Sequence, residues 1–203
     1  MGTLRLGVLA SHNGSNLAAL HQASLLPDSD FTISVTISNN SSSGALAYAR
    51  DHGVPTRHLS GHTHPDTKAL DNAMRATLVE HGVDLVVTAG FMRKLGPIVR
   101  ETFSSRIINI HPALLPAFGG VGFFGNRVHQ AVLDSGDKIS GPTVHLVDDE
   151  YDTGEIIAQS EVPVLPDDTV DTLAARVLAA EHILLPTVVR QLASGHQLHR
   201  NKN

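Results

Sequence analysis

The chain of 203 residues contains no cysteine. That absence excludes thiol nucleophiles, thiolate-bound zinc, iron–sulfur clusters and any disulfide framework. Blocks of like charge are missing too: fifteen Lys and Arg stand against twenty Asp and Glu, a net charge of −5. A protein built to hold a nucleic-acid backbone is normally basic, so no nucleic-acid partner is expected. The amino terminus, Met1 to Ala10, carries one Arg and no cleavage-like site. It is far short of the ~20 apolar residues that a bilayer span needs. A cytoplasmic protein with no membrane partner is the expectation. The signatures G-x-x-x-x-G-K-[ST], G-x-S-x-G and H-E-x-x-H are absent as well. The commonest NTPase, serine-hydrolase and zinc-protease chemistries go with them.

What is present is the composition of an ordinary globular domain, 41% hydrophobic and 17% charged. A chain this long buries roughly 70% of the surface it exposes when unfolded, enough for one core without staples. We expect one domain over residues 1–195 and a polar tail over 196–203. Leu4 to Ala10 and Leu85 to Ala89 are short, nearly continuous apolar runs, the pattern of strands buried on both faces. Phe31 to Ser38 is rich in β-branched residues, and Arg106 to Ile110, Thr143 to Val147 and Ile156 to Val164 are further strands. Between them lie helical patterns: one ending at Pro27, one over Gly44 to His52, and one beginning at Pro65 and closing at Gly82. A last helix runs from Thr169 to about Leu192 behind an Asp168 cap, with Leu173, Val177, Ala180 and Leu184 on one face. Pro186 is expected to kink or break it. Strands alternating with helices make an α/β sheet, largely parallel in its first half.

Five segments have residues whose chemistry has to be weighed. Ser11 to Asn16 follows the first strand and opens a helix, a place where backbone N–H groups and the helix dipole suit a phosphate. The same turn also reads as a helix cap with a flexible glycine, Gly14. Asn109 and His111 lie two apart at the end of an apolar strand and so project to one side, with Pro112 stopping the ladder. An amide beside an imidazole can hold an oxyanion and move a proton, although a capped strand end with a satisfied histidine has the same letters. Asp148, Asp149, Glu150 and Asp152 form an acidic turn, solvated or else placing one carboxylate where it keeps His111 charged. Gly120 to Gly125 matches G-x-G-x-x-G, but two prolines separate it from the preceding strand and no acid follows at the required spacing. It reads as a glycine-rich loop over a site. His58, His62 and His64 cluster without a carboxylate or thiolate beside them, so no metal is expected.

Six segments together carry a resemblance: HNGSNLAAL at 12–20, ISN at 37–39, DLVVTAGFMRKLGP at 84–97, INIHPALLPAF at 108–118, GPTVHLVDDEYDTGEIIAQ at 141–159 and ARVLAAEHILLP at 175–186. In this order they resemble the folate-dependent formyltransferases, and the NGSNL loop and late EH pair resemble the phosphoribosylglycinamide formyltransferase branch. The resemblance implies a Rossmann-like α/β domain whose seven-stranded sheet is mostly parallel, antiparallel at its C-terminal part, with helices on both faces. It implies transfer of a formyl group from 10-formyltetrahydrofolate, as co-substrate, to the amine of glycinamide ribonucleotide in purine synthesis, without a metal. Asn109, His111 and Asp152 match the family's catalytic residues, with Asn109 and His111 on the oxyanion and Asp152 assisting. Gly14, Ser15 and Asn16 match the phosphate loop, and Glu181 an acid that contacts the ribonucleotide. Met92, Arg93, Lys94 and Leu95, with Asn109 and the loop Val147, Asp148, Asp149, Glu150, Tyr151 and Asp152, match the folate site. Lys94 departs from the usual apolar residue and is expected to turn away from the pterin, and the loop after Phe118 is longer than usual. The partners implied are the two small molecules, with the chain a monomer or homodimer. A formyltetrahydrofolate hydrolase shares the catalytic residues but carries an added amino-terminal domain, and a methionyl-tRNA formyltransferase an added carboxyl-terminal one. A silent folate-binding protein would have no use for all three catalytic residues.

Overall fold

A computed structural model describes residues 3–195; the polar tail expected at 196–203 lies outside the described residues. Five parallel strands form the first part of the sheet: β1 (Leu4–Leu9), β2 (Phe31–Ser38), β3 (Thr56–His58), β4 (Leu85–Ala89) and β5 (Ile107–His111). Then β7 (Thr143–Leu146) pairs antiparallel with β5, and β8 (Ile156–Gln159) antiparallel with β7. The order is β3-β2-β1-β4-β5-β7-β8. Two short strands, β6 (Ile139–Ser140) and β9 (Val162–Pro163), form a separate antiparallel pair.

Helices cover both faces because the strands are apolar on both. On one side Leu6, Val8, Val87, Ile108 and Ile110 pack with residues of α1 (Ser15–Ser24), α2 (Gly44–Asp51) and α6 (Val170–Ala193). On the other, Leu9, Val35, Val86 and Ile107 meet α3 (Thr67–Glu80) and α4 (Pro97–Thr102). The remaining helix, α5 (Asn126–Ser135), lies against α6, where Val132 packs with Leu173 and Val177.

Several elements differ from the sequence reading. The first helix stops at Ser24, three residues before Pro27, with Leu25 as its cap. The helix expected from Pro65 starts at Thr67, because the Asp66 carboxylate accepts the Ala69 N–H at 2.7 Å and caps it. The long strand expected over Ile156 to Val164 is two strands in two sheets. Thr169 rather than Asp168 is the N-cap of α6, in a reciprocal pair with Thr172; Asp168 instead holds Arg176 at 2.7 Å and accepts the Leu165 N–H.

Pro186 does not break α6. The turn around it is secured by packing, with Leu185, Val188 and Val189 buried, and the Thr187 hydroxyl donates to the Ile183 carbonyl at 2.7 Å. The inward face is wider than expected: Ala180 and Leu184 are partly buried against the core, and Glu181 and Leu185 beside them are buried. A carboxylate thereby takes a core position. Among the described residues, α6 is the one helix long and apolar enough to cross a membrane by length and composition.

Candidate active site

The carboxyl ends of β1, β4 and β5 open onto a cavity of about 620 Å³. Its floor is a polar row across three strands. Asn109 on β5 stands in register with Thr88 on β4 and His145 on β7. Thr88 Oγ1 lies 2.8 Å from Asn109 Oδ1, and Asn109 Nδ2 lies 3.0 Å from His145 Nε2. His145 Nδ1 faces its acceptor, the Leu146 carbonyl, at 2.8 Å, which places a proton on Nδ1 and leaves Nε2 to accept from Asn109. One N–H of the Asn109 amide remains for a ligand.

His111, the last residue of β5, is 4% exposed. Its Nε2 donates to the Phe118 carbonyl at 2.8 Å, and its Nδ1 lies 3.5 Å from Asp152 Oδ2. The other oxygen, Oδ1, is 3.5 Å from His145 Nε2, and the Gly120 N–H donates to Oδ2 at 2.9 Å. Asp152 has a left-handed backbone, φ 59°, which turns the carboxylate inward at the end of the acidic loop. Burial alone would raise this carboxyl; the nearby His145 and His111 imidazoles and the Gly120 N–H together hold it below the ordinary aspartate value. For His111 the balance is reversed. Burial lowers its pKa and outweighs the charge of Asp152 and the Phe118 carbonyl. The expectation that Asp152 keeps His111 charged is therefore corrected: the resting pair is a neutral imidazole facing a carboxylate.

Gly14, Ser15 and Asn16 lie at one end of the cavity, with Glu181 from α6 beside them. Gly14 has φ +77°, and a Cβ there would stand 2.6 Å from the Ala45 Cα of α2, so a side chain is excluded by packing as well as by conformation. Asn16 Nδ2 donates to Glu181 Oε2 at 2.6 Å. Burial pushes the Glu181 carboxyl up to about 7 despite that hydrogen bond.

The other end has two walls. One is Met92, Arg93, Lys94 and Leu95; the other includes Val147, Asp148, Glu150 and Tyr151. Asp149, expected among them, does not line the cavity: it pairs outward with Arg100 at 2.9 Å. Leu95 is 4% exposed and belongs to the core under α3 and α4. Lys94 spans the gap between the walls, 3.7 Å from Glu150 Oε2 and 5.4 Å from the centre of the Tyr151 ring. The glycine-rich segment 120–125 also lines the cavity and runs into α5, but β5 ends well before it, so the dinucleotide arrangement is not formed. Among the described residues no group of three or more His, Cys, Asp or Glu could hold a metal ion.

Sequence reasoning missed Thr88, His145 and His129. His145 was legible in principle, as the middle of Thr143, His145 and Val147, two apart on a strand that leads into the acidic loop. His129 was not, because the sequence reading assigned no element to the residues that form α5. It is 5% exposed, lines the cavity, has a buried Nδ1 with no partner, and is held below the ordinary histidine value by burial and then by His111.

The family model that describes formyl transferases matches residues 4–189. The chain belongs to the formyl transferase family. Among relatives of this family, the phosphoribosylglycinamide formyltransferase of Escherichia coli (strain K12) is 35% identical over 98% of this chain and 92% of its own length. The chloroplastic phosphoribosylglycinamide formyltransferase of Vigna unguiculata is 43% identical over 93% of this chain, and 42% identity links 94% of the chain to the trifunctional purine biosynthetic protein adenosine-3 of Bos taurus. This chain spans 60% of that plant protein and 18% of that bovine one. The crystal structure of glycinamide ribonucleotide transformylase 1 from Symbiobacterium toebii superposes with a TM-score of 0.91 at 38% identity, covering 98% of this chain and 92% of that one. The formyl transferase sheet, parallel and then antiparallel, agrees with the architecture expected from sequence.

Proposed function

We propose that the protein transfers the formyl group of 10-formyltetrahydrofolate to the amine of glycinamide ribonucleotide. The observation that carries this reading is the meeting of Asn109, His111 and Asp152 between two different subsites. At one end is a helix-opening loop with a carboxyl beside it; at the other are the 92–95 and 147–152 segments. The names of the relatives support glycinamide ribonucleotide as the formyl acceptor. Gly14, Ser15 and Asn16 would seat the phosphate, Glu181 would face the ribonucleotide, and the 92–95 and 147–152 segments would hold the folate.

In this reading the amine nitrogen attacks the formyl carbon on N10, and the carbonyl electron pair moves to oxygen. The free N–H of Asn109 donates to that oxyanion, an effect of roughly 3–4 kcal/mol for one preorganised donor. Thr88 and His145 fix the amide so that this N–H needs no reorientation. The amine proton is taken up by the His111–Asp152 pair. At rest two acceptors face each other across 3.5 Å, and one proton turns that opposition into an ion pair. The proton passes to N10 as its bond to the formyl carbon breaks, leaving tetrahydrofolate and the formylated amine.

The test is to supply 10-formyltetrahydrofolate with and without glycinamide ribonucleotide and follow release of tetrahydrofolate. Release that depends on the ribonucleotide supports the proposal. Rapid release with water alone would assign a hydrolase, which uses the same three residues.

A further inference from the structure

The turn that leaves β1 contains a buried hydroxyl outside the cavity. Ser11 is 3% exposed. Its Oγ donates to Asn39 Oδ1 at 2.5 Å and accepts the Met92 N–H at 2.8 Å. Its main chain is tied to the same two elements: the Ser11 N–H donates to the Gly90 carbonyl at 3.1 Å, and Asn40 Nδ2 donates to the Ser11 carbonyl at 3.3 Å. One residue thus joins the ends of β1, β2 and β4.

Its position between the subsites gives those bonds a consequence. The residues directly after Ser11 are His12 to Asn16, the proposed ribonucleotide end of the cavity. The residue whose N–H it holds, Met92, begins the proposed folate wall. That wall has no regular secondary structure between Ala89 and Pro97, and Met92 and Lys94 are exposed. Its main chain is held by the Ser11 hydroxyl at Met92 and by the Arg100 guanidinium at the Leu95 carbonyl. A segment anchored at so few points loses freedom when a ligand orders it, and whichever ligand binds first bears that cost. Because the anchor at Met92 is the residue next to the ribonucleotide loop, seating one ligand fixes the support of the other.

We infer that Ser11 is a positioning residue that couples the two subsites, so that the ribonucleotide and the folate bind with positive cooperativity through its hydroxyl. The inference rests on the substrate reading above. Coupling of this kind is reciprocal, each ligand tightening the other by the same factor.

The experiment uses an unreactive pair, tetrahydrofolate and glycinamide ribonucleotide, and measures by calorimetry the Kd of each alone and with the other saturating. For the natural protein we expect each to tighten the other at least about fivefold. Ser11→Ala should reduce that factor to about one, and Ser11→Thr, which keeps the hydroxyl, should restore most of it. Asn39→Ala leaves the hydroxyl on Met92 but frees it from β2, and should give an intermediate factor. A merely structural serine would lower both affinities or the Tm and leave the ratio unchanged; that result, or no coupling in the natural protein, overturns the inference. If neither ligand binds the natural protein at all, the substrate reading fails instead, and the two failures are told apart.

Discussion

Asn109 has its amide held at both ends, by Thr88 and by His145, while the His111–Asp152 pair is held at its outer edges by the Phe118 carbonyl and the Gly120 N–H. Preorganisation of this sort places the cost of orienting each group in folding rather than in turnover. Asn109→Ala, His111→Ala and Asp152→Ala should each lower kcat by at least ~100-fold, the scale of an oxyanion donor or a general acid–base group. In the proposed mechanism His111 and Asp152 take up one proton as a unit, so the double variant should be about as slow as the worse single one. Multiplicative losses in steady-state assays would show that the two act separately. His145→Leu should behave differently. It keeps the bulk but removes the acceptor that turns Asn109, so kcat should fall by roughly 10-fold or more with little change in the KM for either substrate.

At the scale of elements, two short contacts decide where the site's loops can lie. Gly14 touches α2, and Asp71 of α3 accepts the Ile98 and Val99 N–H groups at 2.8 and 3.2 Å, supplying the cap that Gly96 cannot give to α4. Asp71→Ala should cost about 1–2 kcal/mol in urea unfolding, as loss of a capping carboxylate does. Gly14→Val should raise the KM for the ribonucleotide far more than that for the folate, and should also lower Tm, since its side chain must displace Ala45. Equal rises in both KM values would mean that the whole cavity is disturbed. The strands Phe31–Ser38 and Leu85–Ala89 were legible to the residue because runs rich in β-branched and apolar residues, free of Gly and Pro, leave no competing pattern. The helices α4 and α5 were not. The first has six residues, too short for a periodic signal, and the second follows a glycine-rich stretch that reads as loop. Of the acidic turn, the sequence located the carboxylate cluster, but only the fold separates Asp152, turned inward by its left-handed backbone, from Asp149, drawn outward by Arg100.

For the molecule as a whole, the buried titratable groups set how stability depends on pH. His21, His111, His129 and His182 are each held below the ordinary histidine value, burial being the largest cause in every case. Such groups are neutral in the folded chain and take up protons on unfolding, so their contribution is complete above pH ~6.5 and is lost as pH falls through the lowered values. Asp152, also lowered, acts in the same sense further into acid. Glu181 opposes them. Its carboxyl is raised to about 7 from 4.5, so the folded chain binds the extra proton and gains stability as pH falls from 7 towards 4.5. The four histidines together are expected to outweigh the single glutamate below pH ~6.5. Thermal unfolding should show a Tm that is nearly level between pH 8 and 7 and declines below pH 6.5. Each proton taken up only on unfolding steepens that decline by at most about 1.4 kcal/mol per pH unit. Two variants separate the terms. His21→Phe, which cannot titrate but still presents a ring to Tyr48, should make the decline shallower. Glu181→Gln, which removes the opposing group while keeping an acceptor for Asn16, should make it steeper. A Tm that rises from pH 7 to pH 5.5 in the natural protein would show that the glutamate dominates the histidines, and the assignment of four imidazoles neutral in the folded chain would be wrong.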